Sequence, residues 1–251
     1  MVTIKSLEEI NKMRVAGKVL SRAVKMLKDM CQVGVNCLDL DRAFEEFILA
    51  NGCTSNFKGY GGFPKTICVS INDQLVHGIP QDRILADGDI VSIDTGCVYQ
   101  GYHADSAFTK IVGTPKDEKH AILIEVTEKS LELAIEQVKP GTRIGTIGAT
   151  IQKYVESFGF GVPRDYTGHG IGTEMHEEPY VPNYGTPDTG MRLQSGMVIA
   201  IEPMVQMGTF KTKVASDKWT VYSADHSMAA HFEHTILVTD SGSEVLTRYK
   251  D

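Results

Sequence analysis

Gly34–Gly52, GVNCLDLDRAFEEFILANG, has an echo 107 positions later in Gly141–Gly159, GTRIGTIGATIQKYVESFG. One offset aligns Gly34 with Gly141, Leu40 with Ile147, Phe47 with Tyr154 and Gly52 with Gly159. Each stretch reads as a turn glycine, a short helix and a closing glycine, because glycine enters the left-handed conformation that ends helices at little steric cost. The pattern predicts helices over about Leu40 to Ala50 and Ile147 to Ser157.

Working outward, a longer helix precedes each short one. Ser6-x-x-Glu9 is a capping box, in which each side chain satisfies a free N–H at a helix start. Leu7, Ile10, Met13, Ala16, Leu20, Ala23, Leu27 and Met30 then recur at helical spacing, towards a stop near Gly34. In the second half Thr114-Pro115 is expected to open a helix to about Val138, which Pro140-Gly141 breaks. Strands follow each helix pair. Ile67–Ile71 is one; Asp89–Cys97 and Ala104–Val112 flank a turn at Tyr99-Gln100-Gly101; Met197–Ile201 and Thr235–Val238 come later. The chain therefore reads as two repeats, about 6–112 and 114–240, of long helix, shorter helix and strands. Packed sheet to sheet with helices outside, they form one α+β domain over 1–251 with a central cleft.

Composition narrows the function classes. A chain of 251 residues with 42% hydrophobic and 23% charged residues buries a core without disulfides or a structural metal. A net charge of -7 argues against nucleic acid and anionic membranes as partners. The start, Met1-Val2-Thr3-Ile4-Lys5-Ser6-Leu7-Glu8-Glu9, lacks an apolar signal core, and no apolar run reaches membrane-spanning length. Cys31, Cys37, Cys53, Cys68 and Cys97 are odd in number and form no CxxC pair, so free thiols in a reducing cytoplasm are expected.

The chemistry lies in the strands. With the hairpin turn centred near residue 99 or 100, positions summing to about 199 face each other, which sets Asp94 against Asp105. Facing carboxylates repel, and the apolar neighbours Val91, Ile93, Ala104 and Phe108 imply burial; a divalent cation is the most effective counter-charge. Further candidates are His169, flanked by Gly168 and Gly170, Glu202 after Met197–Ile201, and Glu233 before Ile236-Leu237-Val238. Four carboxylates and one imidazole suit Mn, Fe, Co or Mg and suit a structural zinc site poorly. Carboxylates able to bridge suggest two ions and metal-assisted hydrolysis.

Seven motifs appear in order: Val76-His77-Gly78-Ile79-Pro80, Ile93-Asp94, His103-Ala104-Asp105-Ser106, Gly168-His169-Gly170-Ile171-Gly172, His176-Glu177-Glu178-Pro179, Ile201-Glu202-Pro203-Met204 and Phe232-Glu233-His234-Thr235. Together, from the first helix to about Val238, they resemble the type I methionine aminopeptidases in their short, bacterial-like form. The resemblance implies the pita-bread fold of metallopeptidase family M24: two pseudo-symmetric αβ halves, a central curved antiparallel sheet and outer helices. It implies that Asp94 chelates one ion, that Asp105 and Glu233 bridge both, and that His169 and Glu202 complete the other sphere. A bridging water or hydroxide is then the nucleophile, with Glu202 as proton shuttle. His176 is expected on the scissile carbonyl and His77 on the departing amide nitrogen.

The same resemblance maps a methionine pocket onto Phe57, Tyr60, Phe63, Cys68, Met175 and Trp219, where dispersion and sulfur–ring contacts hold a thioether. Phe57 stands where relatives carry a cysteine, Met175 where an aromatic is common and Phe63 where tyrosine is common. Implied cofactors are two divalent ions (cobalt, manganese, iron or similar) and a monovalent ion, sodium or potassium, near Asn72, Gln74 and Ala229. Implied partners are nascent polypeptide N-termini at the ribosome with a small second residue, served by a cytoplasmic monomer. Two rival readings are a proline-directed, prolidase-like hydrolase, disfavoured by the absence of an extra N-terminal domain, and a non-catalytic binding module on the same fold.

Overall fold

A computed structural model describes residues 2–249; residues 1, 250 and 251 of the expected domain lie outside the described residues. Among the described residues four α-helices flank a nine-stranded sheet. Helix α1 spans Leu7–Met30, α2 Cys37–Ala50, α3 Glu118–Ile135 and α4 Ile144–Glu156. The Ser6/Glu9 capping box is present in full. Helix α1 ends short of Gly34, capped by Cys31, and the Gly34 N–H goes to the Leu85 carbonyl at 2.9 Å. Helix α2 begins at Cys37, earlier than the apolar pattern implies, because the Asn36 side chain caps it. Helix α3 starts later than expected: Asp117 caps it, while the Thr114 N–H is taken by Asp87 Oδ1 at 2.8 Å.

The offset of 107 persists in three dimensions. It maps the first residue of α2 onto the first of α4. Gly34 and Gly141 have φ of 88° and 90°, and Gly52 and Gly159 have 75° and 76°. Leu40 and Ile147 are both fully buried. Asn36 and Arg143, the residues before the two short helices, each form an isolated bridge, to Ile84 and Arg192.

The sheet runs in the order Thr54–Ser55, Ile90–Tyr99, Tyr102–Ile111, Glu233–Val238, Val198–Ile201, Thr167–Gly170, Glu177–Pro182. Ile67–Ile71 also pairs with Ile90–Tyr99, and Ser243–Val245 with Glu233–Val238. All these pairings are antiparallel. Three-residue strands complete the molecule: Gln74–Val76, Thr212–Val214 and Val221–Ser223 form one small sheet, Met204–Gln206 and Ala229–His231 another. Runs this short carry no readable alternation, and none was foreseen.

The hairpin register corrects one expectation. Its turn is the two-residue Gln100-Gly101, with φ of 49° and 82°, a geometry that matches strand twist. Asp94 therefore faces Ala107, and Asp105 faces Gly96; the two aspartates are diagonal neighbours and not directly opposed. A shift of two keeps each residue on its original face, so both carboxylates still share one side of the ribbon. On the other side Ala16, Leu20, Ala23 and Leu27 of α1 join Ile93, Cys97, Ala104 and Phe108 in the main core.

Candidate metal centre

Two neighbouring rungs of the sheet hold the candidate ligands. Along the first, Cys68 pairs with Asp94, Asp94 with Ala107, and Ala107 with Glu233. Two residues away, Asp105 pairs with Gly96, while His169 pairs with Ala200 and Ala200 with Thr235. Paired residues share a face, as do residues two apart on one strand, so these side chains converge. Thr235 links the two parts of the second rung: its Oγ1 accepts from the Asp105 N–H at 2.9 Å and donates to the Asp105 carbonyl at 2.8 Å. Glu202 follows Ile201, whose partner is His234, and so emerges beside Glu233. Asn183 Nδ2 donates to the Glu202 carbonyl at 2.9 Å. Ala107 and Ala200 put only methyl groups among these acids, which leaves room above them.

Ligand atoms of Asp105, His169 and Glu233 lie within 4.8 Å of one another. Glu202 reaches two imidazoles, with Oε1 at 3.5 Å from His169 Nε2 and Oε2 at 3.7 Å from His231 Nε2. Burial pushes Asp94 up to about 6 and Glu202 up to about 8. Asp105 and Glu233 are pushed well above the carboxylate range, by burial first and then by the neighbouring carboxylates. Asp94 Oδ1, Glu233 Oε1 and His231 Nε2 are buried without a hydrogen-bond partner. A cluster that resists its own charge and leaves oxygen lone pairs unmet fits divalent cations.

The histidines divide by role. His169 Nδ1 sits 2.8 Å from the Gly170 carbonyl. A carbonyl only accepts, so Nδ1 carries the hydrogen and Nε2 keeps a lone pair, the form a metal requires. Burial holds His169 down to about 3 and His77 to about 4, so both rings stay neutral at physiological pH. His77 has φ of 58°, a left-handed backbone that is costly outside glycine and is retained most often at functional sites. Its neighbour Gly78 locks that conformation by donating to Ser70 Oγ at 3.0 Å and accepting from the Val69 N–H at 2.8 Å.

A cavity of about 170 Å³ opens above the acids. His77, Asp94, Asp105, His169, His176, Glu202 and Glu233 line its polar end; Phe57, Tyr60, Phe63, Cys68, Met175 and Trp219 line the apolar end. Phe57, Phe63, Cys68 and Met175 form a hydrophobic cluster of their own, with Trp219 edge-on to Phe63 at 5.1 Å. Burial and then the nearby carboxylates push the Cys68 thiol well up, so it packs as a neutral group and supplies no thiolate. Every divalent-metal, catalytic and methionine-pocket residue named from the sequence borders this one space, whereas Asn72, Gln74 and Ala229 do not line it. Asn72 and Ala229, from the anticipated monovalent site, meet through the Ala229 N–H and the Asn72 carbonyl at 2.9 Å.

Sequence reading missed His231, Thr235 and Asn183 as site residues. His231 and Thr235 each lie two positions from Glu233, the spacing that shares a strand face, and that alternation was the available signal. Asn183 had none, because its bond to Glu202 depends on a contact between separate strands.

The chain matches the family model described as metallopeptidase family M24 over residues 11–240. It is 69% identical over 248 residues to a methionine aminopeptidase of Mycoplasma capricolum, with 99% of each chain covered. The crystal structure of methionine aminopeptidase from Thermotoga maritima superposes with a TM-score of 0.97 at 46% identity, over 99% of this chain and 100% of that one. Prolidase from Pyrococcus furiosus gives a TM-score of 0.79 at 25% identity, with 99% of this chain matched to 66% of the prolidase.

Proposed function

The chain belongs to the methionine aminopeptidases of metallopeptidase family M24, and from that premise we propose that it removes the initiator methionine from newly made polypeptides with a small second residue. It is a metal-dependent hydrolase with the α+β pita-bread fold. In this reading residues 1–251 form one catalytic domain of the short type I kind, built from repeats over about 6–112 and 114–240. The observation that carries the reading is the convergence of four acids and an imidazole at the foot of an apolar cavity.

Asp94 would hold one divalent ion, Asp105 and Glu233 would contribute to holding both, and His169 with Glu202 would complete the second site. When bound, the ions supply a Lewis acid for the carbonyl and lower the pKa of the attacking water. Cobalt, manganese and iron suit this donor set. Glu202 takes the proton from water at a carboxylate oxygen and delivers it to the leaving amine. His176 donates to the scissile carbonyl as charge develops there, and His77 contacts the departing nitrogen. Phe57, Phe63, Met175 and Trp219 take the methionine side chain out of water, with Cys68 and Tyr60 closing the pocket. A sodium or potassium ion near Asn72, Gln74 and Ala229, a monomeric state, a cytoplasmic setting and action at the ribosome belong to the same proposal.

The test is hydrolysis by metal-reconstituted protein. Met-Ala-Ser is expected to be cleaved and Xaa-Pro peptides are not. Preference for Xaa-Pro would transfer the chain to the proline-directed activity, and inertness towards both, with metal bound, would leave a binding module.

A further inference from the structure

His169 and His176 stack edge to face with ring centroids 4.3 Å apart, yet their Nδ1 atoms meet opposite kinds of partner. His169 Nδ1 faces the Gly170 carbonyl, which only accepts. His176 Nδ1 lies 2.8 Å from the Tyr60 hydroxyl, which both donates and accepts. A phenol is the more acidic donor and the poorer acceptor, and an imidazole nitrogen with a free lone pair is the stronger base. The favoured bond therefore runs from Tyr60 O–H to His176 Nδ1. In a neutral ring the partner at one nitrogen decides the state of the other. With Nδ1 accepting, Nε2 carries the hydrogen.

We propose that Tyr60 is a positioning residue that holds His176 in the Nε2–H form, so that the ring presents a donor to the scissile carbonyl. Two adjacent histidines are thus kept in opposite tautomers, one as a lone-pair donor for metal and the other as a hydrogen-bond donor for substrate. The loop is built to place the phenol. Tyr60 lies between Gly59 and Gly61, with φ of 91° and 54°, and a Cβ on Gly61 would come within 3.2 Å of the Trp219 ring. Tyr60 is 47% exposed, far more than Phe57 or Phe63 at 8% and 4%, so its contribution to burying methionine is the smaller one. The inference rests on the assignment of His176 to the scissile carbonyl.

Tyr60→Phe keeps the ring and removes only the hydroxyl. Long-range ¹H–¹⁵N spectra of histidine-labelled protein loaded with zinc, with His176 assigned through His176→Gln, read the tautomer directly. The wild-type protein is expected to show protonated Nε2 at His176, and the variant a mixture of tautomers. For Met-Ala-Ser, kcat is expected to fall about 10-fold while KM changes less than about 2-fold, as for weakening a single oxyanion donor. A wild-type ring protonated at Nδ1, or a variant that keeps Nε2–H and full kcat, overturns the proposal. If neither protein cleaves methionyl peptides the functional reading fails separately, and the spectra still decide the tautomer.

Discussion

Asp105 is tied down at its backbone by Thr235, and its side chain, which accepts from the neighbouring Ser106 N–H at 3.1 Å, sits among other buried acids. That arrangement is unfavourable by itself, since each ionised carboxylate raises the cost of the next. Removing one acid leaves an incomplete donor set. Asp105→Ala or Glu233→Ala is expected to lose divalent metal and to abolish cleavage of Met-Ala-Ser, measured by metal analysis alongside the assay; near-normal turnover in either would contradict the site. The alanines beneath are as specific. Ala107 separates Asp94 from Glu233 on one rung. Ala107→Leu is expected to fill the space above the sheet and weaken metal binding by roughly 10- to 100-fold, read by calorimetric titration of a folded protein. Unchanged affinity would show that the floor has slack. The acids themselves were readable because buried carboxylates within or at the ends of apolar strands are rare and conspicuous. The alanine floor was not, because alanine is common everywhere and acquires meaning only from what lies on either side.

Among the elements, α1 was legible in its capping box and in the apolar stripe from Met13 to Leu27, which forms its buried face, although Leu7 is exposed and the helix stops at Met30, short of Gly34. Its close approach to the chain end was not. Gly17 lies against the Leu246 backbone, where an added Cβ would come within 2.4 Å of the carbonyl oxygen. Alanine favours a helix by about 1 kcal/mol over glycine, but here the methyl meets backbone that cannot swing aside. Gly17→Ala is expected to destabilise the protein by about 1–3 kcal/mol in urea unfolding, whereas propensity alone predicts a gain. The hairpin shows the same division. Both strands and their shared acidic face follow from alternation, while the register turned on the two-residue Gln100-Gly101 turn, and a centre one position off moved every partner by two.

Across the whole molecule, the N-terminal segment braces the loop that carries Met175 and His176. The Lys5 N–H donates to the Gly196 carbonyl at 2.9 Å, and Lys5 Nζ lies 2.7 Å from Glu177 Oε2 with both side chains mostly buried. Burial pushes the Glu177 carboxyl up, but the hydrogen bonds from Lys5 and Thr3 outweigh it and hold the group below its usual range. A carboxylate whose folded value is depressed contributes stability that is full above the unfolded value, 4.5, and is lost as pH falls through the folded one. The difference in Tm between wild-type protein and Glu177→Gln is therefore expected to be constant near neutrality and to close below about pH 4.5. A gap that persists to pH 3 would assign the effect to packing.

Within the sequence alone lay the helix pairs and their 107-residue offset, the principal strands, the acids and imidazole, and the family, because each is written in local periodicity or in ordered motifs. Tertiary structure decided which rungs align, that two alanines floor the site, that His231 and Asn183 attend Glu202, and that Tyr60 meets His176. Those facts depend on strands and loops far apart in the chain, and no local preference of a residue specifies which distant partner the packing of two halves will bring to it.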